Sequence, residues 1–511
     1  MSPEAALPPE ATEAAPPPEA AFPSGPPSPT PADLALAARR DRAVRAAVEQ
    51  GLVSDAAPVV ALLDVAGIRA SAAALRAAFA EVTPDGTAVL HAFAVKAAPL
   101  VPVLRLLAAE GMGAEVASPG ELALARAAGV RAERTVLDSP AKTAAELREA
   151  CALGIAVNAD NPQELARIDA LVAAAGGTGP GPAAAGPGGT PAPGPGSARA
   201  AVPPCGVRVN PQLGGGSIGA LSTATATAKF GVALRDEGAR AWLVRAYLDR
   251  PWLTRLHSHT GSQGIPLDLM VQGVRTLYEL AEEINAAAGR RQVDTVDIGG
   301  GLPVNFGSDA HAPTYAAYVR RLKDAVPGLL DGRYGLVTEF GRSLIAKHGT
   351  VLTRVEYAKS AGGRPIAVTH AGAQVATRTV YAPASWPVRI AAYDAEGRPR
   401  TGPAVAQDIA GPACFAGDLL AENRPLPLLE QGDLVAALDT GAYFFTAHYS
   451  YNSLARPGIH GFVVKPGTGG AVRFATVREQ QTTDEIVAES GGALADALLD
   501  ITSGQLPVNY P

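Results

Sequence analysis

A lysine, Lys96, closes the apolar run in HAFAVKAAPL, His91 to Leu100, and small residues and a proline follow it. Strands often finish at the surface on a charged side chain, so Lys96 alone says little. Farther along, side chains able to do chemistry stand at the ends of comparable runs: Glu115, Asp138, Asn158, Arg208, His257, His259, the glycines Gly299, Gly300 and Gly301, Glu339 and Arg342. An amine partly desolvated near other cations loses its proton more easily and becomes a nucleophile, which makes Lys96 a candidate for Schiff-base chemistry with an aldehyde. The triple glycine of DIGGGLPV offers backbone N–H groups that a phosphate can approach with no Cβ in the way. Ser262 in HTGSQ and Tyr443 in DTGAYFF can add hydroxyl donors to the same phosphate. Glu339, in TEFGRS, has apolar neighbours, and a buried carboxylate needs a partner. Arg342 is one candidate and a protonated pyridine nitrogen is another. His259, between Ser258 and Thr260, can stack on an aromatic cofactor, and it is preferred to His257, which is read as pointing away on strand alternation.

These residues matter only if one scaffold gathers them. Short β-prone runs alternate with alanine- and leucine-rich amphipathic stretches: AVLHAFAVKA, MGAEVAS, RTVLDSP, GIAVNAD, CGVRVNP, RLHSHTGS, TVDIGGG and LVTEFGR, separated by stretches such as PGELALARAAGV and DLMVQGVRTLYELAEEINAAAG. Eight strand-helix units suit a (β/α)8 TIM barrel, and the candidate residues then all fall at the C-terminal ends of strands, where barrel enzymes build their sites. A doubly wound open sheet is the competing arrangement. After Arg342 the rhythm changes to short strands with Gly, Pro and Asp turns, as in WPVRIAAYD and GDLVAALDTGAYFF, which predicts a mostly antiparallel β-barrel or sandwich domain. The organisation expected is a Pro/Ala-rich disordered tail over 1–32, a barrel over 60–345 with a Gly/Pro-rich insert at 172–201, and a β domain over 346–511 that takes a strand from 33–59.

The chain has 511 residues, 47% of them hydrophobic, enough for large cores and for two domains. Its 43 basic and 49 acidic side chains leave a net charge of -6, which argues against nucleic acid or an anionic membrane as the main partner. The three cysteines, Cys151, Cys205 and Cys414, form no CxxC and no His/Cys cluster with metal-ligand spacing, so neither a disulfide framework nor a metal is expected, and the compartment reads as reducing and cytoplasmic. The first residues lack the basic and apolar regions of a signal peptide, and no span reads as a transmembrane helix.

An aldehyde, a phosphate and a pyridine nitrogen together describe pyridoxal 5'-phosphate. The ordered series FAVKAAPL, GAEVASPGEL, KFGV, HSHTGSQ, DIGGG, EFGRS, GPACFAGD and DTGAY resembles that of the fold-type III pyridoxal-phosphate decarboxylases, the group of diaminopimelate and ornithine decarboxylases, from about Val60 to about Pro457. The resemblance implies an alanine racemase-like fold and the removal of carbon dioxide from a small amino acid. It implies that Lys96 bonds the cofactor's aldehyde, that His259 stacks on its ring and that Glu339 keeps the ring nitrogen protonated. Gly299, Gly300, Gly301, Ser262 and Tyr443 would form a phosphate cup, with Arg342 on phosphate or a substrate carboxylate. It further implies a homodimer whose site lies at the subunit interface, where Cys414 of one subunit serves as proton donor in the other. Directly after the motif cysteine, diaminopimelate decarboxylases carry glutamate and ornithine decarboxylases aspartate, each reading the far amino group of the substrate. Here the residue is Phe415, so the expected substrate is neither diaminopimelate nor ornithine. A racemase and a silent homologue that binds the cofactor without turnover are the competing readings.

Overall fold

In the computed structural model, described over residues 30–175, 203–465, 467 and 470–503, all eight expected runs are strands of one closed parallel barrel. The chain begins with α1 (Pro31–Glu49), β1 (Val59–Asp64) and α2 (Val65–Val82). The barrel follows as β2 (Val89–Ala94), α3 (Val101–Ala109), β3 (Gly113–Val116), α4 (Pro119–Ala127), β4 (Thr135–Leu137), α5 (Ala144–Leu153), β5 (Ala156–Ala159), α6 (Pro162–Ala174) and β6 (Cys205–Asn210). It continues through β7 (Val232–Ala233), α7 (Ala239–Leu248), β8 (Leu253–His257), α8 (Leu267–Ala288), β9 (Thr295–Asp297), α9 (Tyr315–Ala325), β10 (Gly335–Thr338) and α10 (Arg342–Ile345). The strand order is β2-β3-β4-β5-β6-β8-β9-β10, and β10 pairs back onto β2. The two-residue β7 hangs on β6 outside the ring. Strands covered on both faces carry near-continuous apolar runs, and β6 is buried at every position. Short polar caps set where the helices begin: Ser118, Thr143 and Asn161 each accept a backbone N–H from the first turn of α4, α5 and α6.

The second sheet holds β1, β11 (Gly349–Ala361), β12 (Arg364–Thr369), β13 (Ile390–Tyr393), β14 (Ala404–Ala410), β15 (Leu419–Pro427), β16 (Leu434–Leu438), β17 (Gly458–Val464) and β18 (Val472–Arg478), with α11 (Ala373–Tyr381) between β12 and β13. Its pairings are antiparallel except β1 with β17 and β12 with β14.

The strand expected within 33–59 lies instead at Val59–Asp64, so the barrel's helical framework starts at α2 and not at residue 60. Residues 31–49 form a helix because Leu36, Ala43, Val44 and Ala47 fall on one buried face and Thr30 with Asp33 closes a capping box at its start. The run VVALLD is buried at every residue because β1 lies between β11 and β17. Helix α6 runs to Ala174, three residues into the expected insert, and α1 starts inside the expected tail. The rest of those segments, 1–29 and 176–202, lies outside the described residues.

A chain of buried charges locks the two domains together. Lys347, just past the barrel, donates to Asp439 at 3.2 Å, and both side chains are only 2% exposed. Arg389 donates to the same carboxylate at 2.8 Å and to Asp309 at 2.6 Å, and Arg40 of α1 reaches Asp309 at 3.0 Å. Removing one member of a buried ion network leaves its partners uncompensated. Asp439 has φ of +61°, a conformation that asparagine also adopts readily, so Asp439→Asn removes charge without backbone strain. We predict that Asp439→Asn lowers unfolding free energy by about 3 kcal/mol in urea titrations; a loss below about 1 kcal/mol would show that the network does not hold the domains.

Candidate active site

The C-terminal ends of the barrel strands surround a cavity of about 310 Å³. Lys96, in the short turn after β2, lines it together with Asp138, Arg208, His259, Glu339 and Arg342, and Ser262, Gly301 and Tyr443 complete the wall. Most of the side chains singled out in the sequence therefore share one space. Tyr443 reaches it from the β domain: its N–H donates to the Ala97 carbonyl at 3.0 Å, and its φ is +62°. That approach needs Gly441, where a Cβ would collide with the Ile345 carbonyl.

Lys96 donates to Glu115 at 2.5 Å. Its side chain is 46% exposed because it faces the cavity, whereas Glu115 is fully buried behind it. The sequence reading placed other cations beside Lys96, but its nearest charges are anions. Burial opposes the ammonium, yet Glu115, Tyr443 and Glu339 outweigh it and hold Lys96 above its usual range. Burial is also the main force on the acids. It pushes Glu339 well up, reinforced by Glu115 and Asp138, and pushes Asp297 up to about 8, reinforced by Glu339. Asp138 resists the same burial and is lowered, because Arg208 donates to it at 2.9 Å and His257 lies beside it.

His259 is the neutral member. Burial and the nearby Arg208 and Lys96 drive it well below its usual range. Its Nδ1 accepts the Gly300 N–H at 3.0 Å, which leaves the ring proton on Nε2 and the ring beside the cavity. His257 lies on the inner side as well, against expectation, since residues two apart on a strand share a face. It is fully buried behind the cavity wall, as are Glu115 and Asn158.

At the other end of the cavity the glycine turn makes a cradle. Gly299 and Gly301 have φ of +66° and +93°, and a Cβ on Gly300 or Gly301 would collide with the carbonyl of Glu339 or Gly261. Two guanidiniums face this end. Arg342 lies 4.8 Å from the Trp386 ring centre and 4.5 Å from that of Tyr443, and Arg378 lies 5.1 and 4.8 Å from the same rings. Burial, with Arg378 adding to it, lowers Arg342 to about 10. Neither has a carboxylate partner among the described residues, and Arg342 Nε and Nη1 and Arg378 Nη1 are buried with no hydrogen-bond acceptor. Such donors call for an anion. Glu339 Oε1 is likewise unpartnered. An amine, an unsatisfied acid and an anion cradle in one cavity fit a cofactor with an aldehyde, a basic ring nitrogen and a phosphate. Arg378 and Trp386 were not assigned from the sequence; the signal available was the TRTVYAPASW stretch, whose arginine and aromatics gain meaning only once α11 packs beside the barrel.

Cys414 is not brought to this cavity. It is exposed in the loop between β14 and β15, and its N–H donates to Asn452 at 2.8 Å. Next to it Phe415 stacks on Tyr381 at 5.6 Å and meets Tyr451 edge-on at 5.2 Å. A larger cavity of about 410 Å³ lies between α1, α2 and the segment after β9, with a mostly apolar lining. Some of its polar groups pair with each other, Ser71 with His348 and Tyr315 with Ser343, although His348 Nδ1 has no partner among the described residues.

Residues 66–346 match the family model described as the pyridoxal-binding domain of pyridoxal-dependent decarboxylases. The chain is 31% identical to a diaminopimelate decarboxylase of Pseudomonas fluorescens over 374 residues, covering 73% of this chain and 81% of that one. Its fold is similar to that of a Helicobacter pylori diaminopimelate decarboxylase complexed with L-lysine, with a TM-score of 0.69 at 22% identity over 85% of this chain and 97% of the other. A lysine/ornithine decarboxylase of Vibrio vulnificus complexed with putrescine aligns with a TM-score of 0.64 at 23% identity, over 83% and 98% of the two chains.

The Lys96–Glu115 contact sets a testable sign. A lysine held above its usual range is fully protonated at neutral pH and reacts as an amine only as pH rises. We predict that Glu115→Gln moves the pH midpoint for reaction of Lys96 with trinitrobenzenesulfonate down by about one pH unit, followed by peptide mass analysis on the apoprotein. An unmoved midpoint would mean that Glu115 does not control the amine.

Proposed function

The chain belongs to the pyridoxal-dependent decarboxylases, and from that premise we propose that it removes the α-carboxylate of a diaminopimelate-like amino acid at the cavity of Lys96 and Glu339. It uses pyridoxal 5'-phosphate, which when bound draws into its ring the electron pair left by the departing carboxylate. The observation that carries the assignment to this cavity is the meeting there of Lys96, the unpartnered Glu339 oxygen and the two unpaired guanidiniums.

In this reading Lys96 is the residue that would hold the cofactor through its aldehyde. Glu115 holds the Lys96 ammonium in place at 2.5 Å. His259, fixed through Nδ1 by the Gly300 N–H, would lie against the ring. Glu339 Oε1, buried and unpartnered, would hold a proton at the ring nitrogen. Gly299, Gly300 and Gly301, with Ser262 and Tyr443, cup the phosphate. Arg342 and Arg378 supply two cations, which together would balance a phosphate that is close to a dianion at neutral pH. Cys414 acts from a second subunit as the proton donor to the carbon that has lost carbon dioxide. Its distance from the cavity of its own chain is what favours a homodimer.

Exclusion of diaminopimelate on the strength of Phe415 finds no support in the relatives, which favour a diaminopimelate-like substrate. The physical reason is that one lost carboxylate does not remove all affinity for an ammonium. Phe415 belongs to a group of rings with Tyr381, Tyr449 and Tyr451, and aromatic faces attract cations.

The test is carbon dioxide release from meso-diaminopimelate, L-lysine, L-ornithine and simple L- and D-amino acids by protein reconstituted with the cofactor. We predict release from diaminopimelate above the others. Release from a different substrate would overturn the specificity, and exchange of the α-hydrogen without carbon dioxide would replace decarboxylation by racemisation. Lys96→Ala should lose both turnover and the visible absorbance of the bound cofactor, and an unchanged spectrum would remove the lysine from its role.

A further inference from the structure

His257 is fully buried at the end of β8, and neither ring nitrogen has a hydrogen-bond partner among the described residues. Two carboxyl groups flank its ring. Nε2 lies 3.4 Å from Glu339 Oε2, and Nδ1 lies 3.6 Å from Asp138 Oδ1. Sheet register places it between Arg208 on β6 and Asp297 on β9. The charged or titratable groups facing it are thus Asp138, Glu339, Arg208, Asp297 and His259. None of these contacts was assigned a purpose by the decarboxylase reading, which uses only His259.

A neutral imidazole has one N–H and one lone pair, so between two carboxylates its lone pair would face an anion. That repulsion disappears if the ring and one of the acids hold a further proton between them. Arg208 already neutralises Asp138, which keeps Asp138 ionised and directs Nδ1–H toward it. The remaining proton therefore lies on the Glu339 side. We infer that His257 is a positioning residue acting through Glu339: its Nε2 and Glu339 Oε2 hold one proton between them, anchored by Asp138 and Arg208, which leaves Glu339 Oε1 free for the cofactor's ring nitrogen. Asp138, His257 and Glu339 each also have an atom within 4.8 Å of the others, as a metal site would. The two acids face opposite nitrogens of the ring, so the imidazole bridges them and does not chelate with them.

This inference rests on the proposed role of Glu339, and the test separates the two. His257→Asn and His257→Gln, with Asp138→Asn as an independent change, are reconstituted with pyridoxal 5'-phosphate, and the visible absorbance is followed from about pH 6 to pH 9. Circular dichroism and the melting midpoint check the fold of each variant. The wild-type band stays fixed over that range. In His257→Asn, which cannot reach Glu339, it becomes pH-dependent, and kcat falls about tenfold with KM little changed. His257→Gln, whose longer amide reaches toward Glu339, restores part of both. Asp138→Asn shifts the band in the same direction as His257→Asn. A band that follows Glu339→Gln but ignores both His257 variants overturns the inference alone. A band indifferent to Glu339→Gln overturns the role of Glu339 and this inference with it. One equivalent of zinc in the purified protein, lost in His257→Asn, would overturn it in favour of a metal site.

Discussion

Glu115, Asp138, Asp297 and Glu339 come from four sectors of one barrel, and their carboxyl groups are nearly all hidden from water at the same end. Four buried charges of one sign cannot persist without cations or protons to offset them. Lys96 answers Glu115 and Arg208 answers Asp138. Among the described residues no lysine or arginine is hydrogen-bonded to the other two, and burial pushes both upward, Asp297 to about 8. Burial raises Glu115 as well, despite Lys96, so the cluster divides into acids that have a cation at hand, Glu115 and Asp138, and acids that have no such partner, Asp297 and Glu339. A ring nitrogen placed at Glu339 would enter the second part, and an amine chemistry at Lys96 the first. The closed parallel topology is what allows this, because it aims the ends of successive strands into a space a few side chains wide.

The opposite end of the cavity has the reverse imbalance. Arg342 and Arg378 lie against the same two rings, Trp386 and Tyr443, with guanidinium N–H groups left over. Like charges so placed repel each other, and aromatic faces offset only part of that cost. An anion in the glycine cradle satisfies both. The cavity thus combines buried acids that lack a cation with guanidiniums that lack an anion, and a ligand with a basic ring and an anionic arm answers both.

Much of the scaffold was legible because buried parallel strands write continuous apolar runs, and each of the eight runs carried its reactive residue at its end. Lys96, His259, Glu339, Arg342 and the three glycines could be named for that reason. The failures came where a partner lies across the fold. Glu115 as the anion of Lys96 depends on β2 and β3 being neighbours, which composition does not encode. His257 was set aside by a wrong assignment of strand faces, although its spacing from His259 already placed both inside. Arg378, which lines the cavity, and Trp386, which lies against it, belong to the β domain, and they gain that meaning only once the domain packs on the barrel. The strand β1 lies just past the segment it was expected in because α1 occupies most of that segment, its buried face written by five apolar positions, four of them alanine or valine.

The site and the domain junction are built from the same short segments. Arg342 is followed within the next turns by Lys347, and Asp439, which holds Lys347, stands four residues before Tyr443. Between them Gly349 and Gly441 pack so closely that neither can carry a side chain. Any loosening of the β domain therefore withdraws Tyr443 and Arg378 from the cavity before a barrel strand has to move. The barrel supplies Lys96, His259 and Glu339 from rigid strand ends, while the anion end is shared with a domain held by buried ion pairs. Binding an anion there adds a bridge between Arg342 of one domain and Arg378 of the other, so ligand occupancy and domain docking must stabilise each other.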